Sequence, residues 1–575
     1  MRHPGFLLHG LIVLLLALQA GALEVRETVW GFDARVMPGR MNLVSVRLAN
    51  PGRANFDEVL KLRESSGVGG SNGAPYVQPV FLSPGAERWV QFTVFIVSGY
   101  EQFALEWERG GRAQLLQPAL GPPARVILSD AGSAFTASSQ VRSFSDALFP
   151  TTVAAMDGLD ALALDYVPRW EAARRTALVD WVRRGGLLLV LPGADGKVPQ
   201  FTEQLSVLNG AGDSARVGAG RVVRVAVPRR ELTEKTFVEA GGPAPEIKQP
   251  KAVTIYNLET TIFQRLATLT RPEIRWGLIN WLSLLYVVLI GPGQFYLGRK
   301  IDYRVSIAAF LGCVAVFAGL FAVVGRRGSG EAQTVHSLSI ARALEPGRHD
   351  VTQWLSAFVT RGAEYALTHR APSNHYGTVS TEPINGALAN GKDGRYFADI
   401  PLFSSRQFTH RAAMAGDDTR VTVERWEEAD EKLTALVLKT AAGFPPETVE
   451  VRARFRDRFY LLQRNGPDLT LDAREQAEAY ETFLPVAKVQ AGMNQGGANP
   501  TETVEEKLRA LLPLLYVRGL DGRGYLQNSI ARGPQSAGEL QLYVFAPSPE
   551  NFSLQGEGFV REIGYTLYVQ EVFKP

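Results

Sequence analysis

The period of the hydrophobic pattern changes along the chain, and each change marks a region. Over residues 23–118 the period is two: Val44, Val46 and Leu48 alternate with Ser45 and Arg47, and Phe103, Leu105 and Trp107 alternate with Ala104 and Glu106. Such alternation belongs to strands with one buried face. Pro38-Gly39, Asn50-Pro51-Gly52 and Pro84-Gly85 supply turns, and no helical stripe intervenes. The pattern predicts an immunoglobulin-like β-sandwich over residues 23–120.

After Gly121-Pro122-Pro123 strand and helix periods alternate. Residues 126–128 and 161–164 are short apolar strands, and Trp170, Ala173, Ala177, Leu178 and Trp181 then recur at helical spacing. Arg174, Arg175, Arg183 and Arg184 fall largely off that stripe. Gly185-Gly186 ends the helix, and the apolar run 187–191 suits a strand covered on both faces. Strand, helix and strand with short links make a right-handed parallel crossover, so residues 121–237 predict an α/β domain. Residues 238–275 hold a linker rich in Gly and Pro and a juxtamembrane helix with the stripe Ile255, Leu258, Ile262, Leu266 and Leu269. This helix is expected to lie against the membrane surface or the α/β domain, and Pro272 separates it from the apolar segment 277–297.

Residues 276–327 predict a transmembrane hairpin. The segment 305–324 carries no charged residue, and at 1.5 Å per helical residue it spans roughly 30 Å of hydrocarbon. The segment 277–297 is its weaker partner, because Asn280, Gln294 and Gly291-Pro292-Gly293 interrupt it; its polar atoms are expected to find partners on the neighbouring helix. On the second helix Ala308, Gly312, Ala315, Gly319 and Ala322 follow at steps of four, three, four and three, which puts them on one face. A row of small residues lets another backbone approach closely, so it predicts helix packing against the first membrane helix or a partner.

Residues 328–575 predict a β-rich domain, with strands at 421–423, 433–438, 449–455, 540–545 and 565–573. One helix interrupts them: Thr503-x-x-Glu506 has the capping-box pattern, and Val504, Leu508, Leu511, Leu512 and Leu515 supply an apolar face for core packing. Residues 490–499 read as a loop. The fold class is multidomain α+β.

Length and charge narrow the classes of function. At 575 residues the chain exceeds a single core. A net charge of +3 with scattered basic residues excludes nucleic acid as an expected partner. Residues 1–22 have the charged, apolar and small-residue parts of a secretory signal. With that signal and two crossings, both large soluble regions are expected outside the cytoplasm, leaving only residues 298–304 within. Arg299, Lys300 and Arg304 in the turn balance Arg271, Arg275, Arg326 and Arg327 on the flanks, so orientation rests on the signal. The single cysteine, Cys313, lies in the second membrane helix and no intramolecular disulfide can form; export without disulfides fits a bacterial envelope.

Residues 159–193, with the helix end Trp181-Val182-Arg183-Arg184-Gly185-Gly186 and the strand exit Leu188-Leu189-Val190-Leu191-Pro192-Gly193, resemble the fold of class I glutamine amidotransferases. The order of signal, β-domain, amidotransferase-like domain, hairpin and β-rich tail is similar to a group of poorly characterised bacterial membrane proteins. The family's activity requires a cysteine nucleophile and a histidine base. Residues 11–335 contain no histidine, and no cysteine lies outside the membrane segment, so the resemblance implies a non-catalytic relative.

Other chemistry is sparse. Gly69-Gly70-Ser71-Asn72-Gly73 matches a nucleophile elbow in form but sits in a β-domain without the strand-to-helix turn that strains the serine. His336, His349, His369, His375 and His410 fall in the carboxyl-terminal region; with Asp350 they offer metal-ligand chemistry at spacings that preset no site. Asp157, Asp160 and Asp165 surround one strand, as solvated ends or as carboxylates for acid chemistry. No phosphate loop or zinc signature occurs, and no cofactor is expected. The reading is a non-enzymatic, membrane-anchored envelope protein that acts as a binding or scaffolding module, with the bilayer and other envelope membrane proteins as partners. The rivals are an envelope hydrolase using carboxylates or a metal site, and an accessory subunit of a transport complex. Convergence of Asp157, Asp160, Asp165 or the histidines in one cleft favours the hydrolase.

Overall fold

The computed structural model describes residues 23–575 apart from 66–70, 98–100, 109, 131–139, 211, 242–255, 271–275, 325–331, 380–382, 457, 472–476, 484–502, 521–537 and 557. The signal segment and the loop at 490–499 lie outside the described residues. The chain is a multidomain, strand-rich protein with sandwich-like sheets and two helices long and apolar enough to cross a membrane.

Alternation produces the first layers. Glu24–Trp30, Arg40–Ala49 and Glu87–Ile96 pair antiparallel into a three-stranded sheet. Phe56–Ser65, Ser71–Leu82, Gln102–Trp107 and Gly111–Gln114 face it. Val44, Val46, Leu60, Leu62, Phe103 and Leu105 fill the space between. The facing sheet does not stop at Ser71–Leu82. It continues through Gly386–Ala389, Arg395–Ile400 and Ala363–Leu367, giving seven strands, and Leu388 pairs in parallel with Tyr76. An open edge of apolar strand is a liability, and the carboxyl-terminal strands cover it. Leu355, Leu388, Tyr396 and Phe408 accordingly belong to the same core as the sandwich residues. Sequence composition puts a boundary between these regions; the sheet runs across it.

Residues 124–224 form a six-stranded sheet. Arg142–Ser145, Ala124–Ser129, Leu159–Leu164, Leu187–Val190 and Gly220–Arg224 lie parallel, and Ser214–Val217 closes one edge antiparallel. Leu159–Leu164 and Leu187–Val190 are buried throughout, as the unbroken apolar runs require. Between them runs the helix Ala172–Arg183. Gly185 ends it with φ of 121°, a conformation that favours glycine. Gly186 lies flat under Trp181, where a Cβ would stand 2.6 Å from the indole. The Gly-Gly pair thus reverses the chain and makes room for a tryptophan whose Nε1 donates to the Leu159 carbonyl at 3.0 Å.

The carboxyl-terminal region is built on a 13-stranded sheet whose centre runs Ser404–Ala415, Arg348–Val359, Gln333–Glu345, Phe559–Phe573, Glu539–Pro547. Val504–Arg509 and Leu512–Leu520 pack against it, and the capping box forms as spaced: Glu506 N donates to Thr503 Oγ1 at 3.2 Å while Thr503 N donates to Glu506 Oε2 at 2.7 Å. The helix Tyr256–Thr270 departs from expectation. It lies on this sheet, not on the α/β region, with Leu258, Ile262, Phe263 and Leu266 packed among Leu338, Leu514, Leu515 and Tyr543. Its buried Glu259 accepts from Trp354 Nε1 and pairs with Arg518 at 3.1 Å, so one polar residue on the stripe orients the docking.

The two apolar helices are Gly277–Lys300 and Tyr303–Val324. Gly291-Pro292-Gly293 does not break the first; the helix passes through a π turn, Leu289–Gly293, whose wider loop tolerates a residue without an N–H. Gln294 Nε2 donates to the Ser306 carbonyl at 2.6 Å and Oγ at 2.9 Å, so the polar group does find its partner on the neighbouring helix. Aromatic contacts complete the hairpin: Tyr286 lies 5.1 Å from Phe317 and 6.3 Å from Phe321. The contact face is therefore Ser306, Phe317 and Phe321. Ala308, Gly312, Ala315, Gly319 and Ala322 are all exposed, and a Cβ on Gly312 or Gly319 would meet nothing within 4 Å. Within this chain the small-residue row does not pack on the first helix, because bulky rings, not a close backbone approach, set the separation.

Candidate functional site

The structure brings the aspartates and histidines into two neighbouring clusters at the seam between the α/β region and the carboxyl-terminal sheet. Asp157 follows the short turn Val153–Met156 and precedes the Leu159 strand. Arg184 caps the helix Ala172–Arg183. Opposite them, Asp350 and Arg411 stand on paired strands in the register Asp350↔Ala413 and Thr352↔Arg411, two positions apart and so on one face.

These four side chains are buried and pair crosswise. Arg184 Nη1 donates to Asp157 Oδ1 at 2.7 Å and Asp350 Oδ2 at 3.2 Å. Arg411 Nη2 donates to Asp350 Oδ2 at 2.6 Å, its Nε to Asp350 Oδ1 at 3.3 Å, and its Nη1 to Asp157. Burial pushes the Asp157 carboxyl up, but Arg411, Arg184 and Arg40 outweigh it and hold the group below the usual range. Asp157 is thus an ion at neutral pH with guanidinium groups on both oxygens. That environment suits a structural anion and opposes a proton donor.

Asp160 lines the same void as Asp157, Asp350 and Arg411, so two of the three sequence aspartates do converge. The void measures about 30 Å³. It has room for a water but not for a substrate. Asp160 pairs with Arg125 at 3.2 Å, and Asp165 stands apart with Arg229 at 3.0 Å. A second ionic group extends the seam: Arg348 Nη1 donates to Asp180 Oδ2 at 2.9 Å, and Arg183 Nη1 to Glu345 Oε2 at 2.9 Å.

Three of the five histidines gather beside it. His369 and His410 stack at 3.7 Å with 6° between ring planes. His410 is held at both nitrogens, by Gln353 at 2.8 Å and Asn374 at 2.9 Å, and His369 Nδ1 lies 3.0 Å from the Tyr376 hydroxyl. Burial depresses His369 to about 3; burial and then the Arg411 charge depress His375 to about 4. His349 stands elsewhere, with Nε2 2.7 Å from the Asp417 carbonyl, and its basicity too is lowered by burial. His336 is buried in the strand Gln333–Glu345. Among the described residues no group of three or more His, Cys, Asp or Glu has the arrangement to hold a metal ion. Ser71 opens the strand Ser71–Leu82, paired with Ser65, far from the strand-to-helix turn an elbow needs.

Sequence reasoning missed the arginines. Arg411 and Asp157 are 254 positions apart, and neither helical nor strand spacing relates them. Arg184 was legible only as a residue off the apolar stripe.

No family model and no curated protein matches the chain. Among solved structures it is similar to a cycloisomaltooligosaccharide glucanotransferase of Paenibacillus sp. at 9% identity, covering 80% of this chain and 99% of that one, with a TM-score of 0.17. A glycosyl hydrolase family 2 member from Bacteroides cellulosilyticus gives 8% identity, 96% and 79% coverage and a TM-score of 0.14. A β-glucuronidase of glycoside hydrolase family 2 gives 8%, 96% and 62%, and 0.13. Likeness at these TM-scores carries no argument about fold or chemistry.

Proposed function

We propose that this chain is a non-enzymatic envelope protein, fixed to the bacterial cytoplasmic membrane by its two apolar helices, whose soluble body serves other envelope membrane proteins as a binding or scaffolding module. In this reading both soluble regions lie outside the cytoplasm and the α/β region is a non-catalytic relative of the class I glutamine amidotransferases. The observation that carries it is the buried quartet of Asp157, Arg184, Asp350 and Arg411, which commits the seam's carboxylates to holding two regions together. A soluble body carried on two membrane helices suits presentation of surfaces. The convergence of Asp157, Asp160 and Asp350 on one void favours an envelope hydrolase instead, but the arginines there keep Asp157 ionised.

The full chain, cross-linked in membranes and solubilised in detergent, is expected to copurify with another envelope membrane protein in stoichiometric amount. Arg411→Met, which opens the seam, should reduce that recovery. Recovery of the chain alone, or turnover of glutamine or a glycoside that Asp157→Asn abolishes, overturns the reading.

A further inference from the structure

A larger space, about 270 Å³, lies where the sandwich, the α/β region and the carboxyl-terminal sheet meet. That is close to the lower end of small-ligand sites. The three regions each contribute a wall: Gln78, Gln91 and Thr93 from the first, Thr151 and Thr152 from the second, His375 and Asn390–Lys392 from the third.

The wall is polar, and its polar groups are held in place. Gln91 Nε2 donates to Ser45 Oγ at 3.0 Å and to the Leu148 carbonyl at 2.7 Å, which fixes the amide and leaves its oxygen for a donor. Asn390 ties the third wall to the first, donating to the Thr93 carbonyl at 2.8 Å and accepting from Tyr376 N at 2.8 Å. His375 is buried; its Nε2 lies 3.0 Å from Thr152 Oγ1 and 3.2 Å from Ser373 Oγ, while Nδ1 has no hydrogen-bond partner among the described residues. That nitrogen is itself sealed from the space, so the ring shapes the wall by holding the Thr152 hydroxyl in place.

Charge narrows the ligand. No carboxylate lines the space, and the exposed Lys392 brings the wall's one ammonium group, which forms no ion pair among the described residues. His375 adds no charge near neutral pH, because burial and Arg411 hold it at about 4. One point cation without a guanidinium fork matches a monoanion, and leaves a dianionic phosphate half compensated. The hydroxyl and amide lining matches several hydroxyl groups and not an apolar body.

We propose that this space binds a small hydroxylated monocarboxylate, with the size and chemistry of a sugar acid, its carboxylate on Lys392 and its hydroxyls on Gln91, Thr93 and Thr151. The site is separate from the scaffolding reading and stands or falls without it.

Titration calorimetry of the detergent-solubilised full chain with gluconate, sorbitol and glucose 6-phosphate tests it. Saturable one-to-one binding of gluconate is expected, with both other probes weaker by about tenfold or more. Lys392→Met should weaken gluconate about tenfold and Lys392→Arg restore most of the loss. Thr151→Trp, which fills the space from an exposed position, should abolish binding; an unchanged thermal midpoint without ligand shows that each variant is folded. The proposal is overturned by absence of saturable heat up to about 10 mM gluconate, by sorbitol or glucose 6-phosphate binding as tightly as gluconate, or by folded Lys392→Met and Thr151→Trp variants that bind like the parent.

Discussion

The carboxyl-terminal sheet meets the rest of the soluble body along two seams built on opposite principles. Against the sandwich it uses backbone and apolar contact: Leu388 pairs with Tyr76, Ile384 N donates to the Gly73 carbonyl at 3.0 Å, Ala74 N donates to Thr378 Oγ1 at 3.1 Å, and one core spans both sides. Against the α/β region it uses ions: the buried Asp157 and Arg184 facing Asp350 and Arg411, then Asp180 and the half-buried Arg183 facing the half-buried Arg348 and Glu345. Apolar burial is non-directional and hardly responds to pH or salt. A buried ion quartet contributes little over an apolar replacement, yet removing one member strands the others. The first seam therefore makes one folding unit out of two distant stretches of sequence. The second fixes by charge how the α/β region, whose own core takes in Phe32 and Leu43 of the sandwich, meets the carboxyl-terminal sheet.

The largest expected effect breaks the ionic seam. Arg411→Met leaves Asp157 and Asp350 short of countercharge and should cost about 3 to 5 kcal/mol. In urea unfolding followed by limited proteolysis, the α/β region should become cleavable first. A loss no greater than that of the exposed Arg425→Met would remove the quartet from any structural role. Next comes the apolar seam, where Leu388→Ala should cost about 3 kcal/mol by leaving a cavity. Here the sandwich and the carboxyl-terminal strands should lose protection from hydrogen exchange together, equally at low and high salt. Separate loss would split the shared core into two units.

Acidification sharpens the contrast. The folded values of His369, about 3, and His375, about 4, lie below their unfolded value of 6.5. Their contribution is full above pH 6.5 and is lost as pH falls toward those folded values, because the unfolded chain takes up protons first. At pH 5 each histidine should have withdrawn about 2 kcal/mol. Glu562 runs the other way: burial raises it to about 7, partly offset by bonds from Leu554 N and Ser337 Oγ, so its contribution is full below 4.5 and lost as pH rises through 7. Urea midpoints at pH 7.5 and 5 should fall more steeply in Glu562→Gln than in the parent and less steeply in His375→Gln. Identical slopes in all three would leave the histidine cluster without a titrating role.

Two small effects complete the series. Arg183 and Glu345 keep partial access to water, so Arg183→Ala should cost less than about 1 kcal/mol; a loss matching Arg411→Met would mean that burial does not set the strength of this seam. In the hairpin of apolar helices Gly312→Leu and Gly319→Leu should leave detergent resistance unchanged, whereas Phe317→Ala should lower it by removing the Tyr286 contact. Glycine variants more sensitive than Phe317→Ala would place the small-residue row in a helix contact after all.

How far the sequence could be read differs by element. The helix end at Gly185-Gly186, the capping box at Thr503 and Glu506, the apolar run 187–191 and the two long apolar segments all rest on neighbours within four or five positions, and all are present. The strands Gln333–Glu345, Arg348–Val359 and Ser404–Ala415 escaped notice although they are among the longest. Their interiors carry buried Ser337, Ser339, Gln353, Ser356, Thr409 and His410, and these polar residues erase the alternation that reveals a strand. Two of them, Gln353 and His410, belong to the histidine cluster, so informative polar positions were among those that hid the element.

Local chemistry in the sequence determined where chains turn, where helices start and stop, and which segments are apolar enough to span a bilayer, because each depends on residues adjacent along the chain. Tertiary structure alone decided that Leu388 completes the sandwich sheet, that Tyr256–Thr270 docks on the carboxyl-terminal sheet, that Phe317 and not Gly312 meets the first apolar helix, and that Arg411 neutralises Asp157. Those outcomes depend on which surfaces meet after the elements have formed, and the energy of a buried charge or an uncovered strand edge has no value until its partner, hundreds of residues away, is in place.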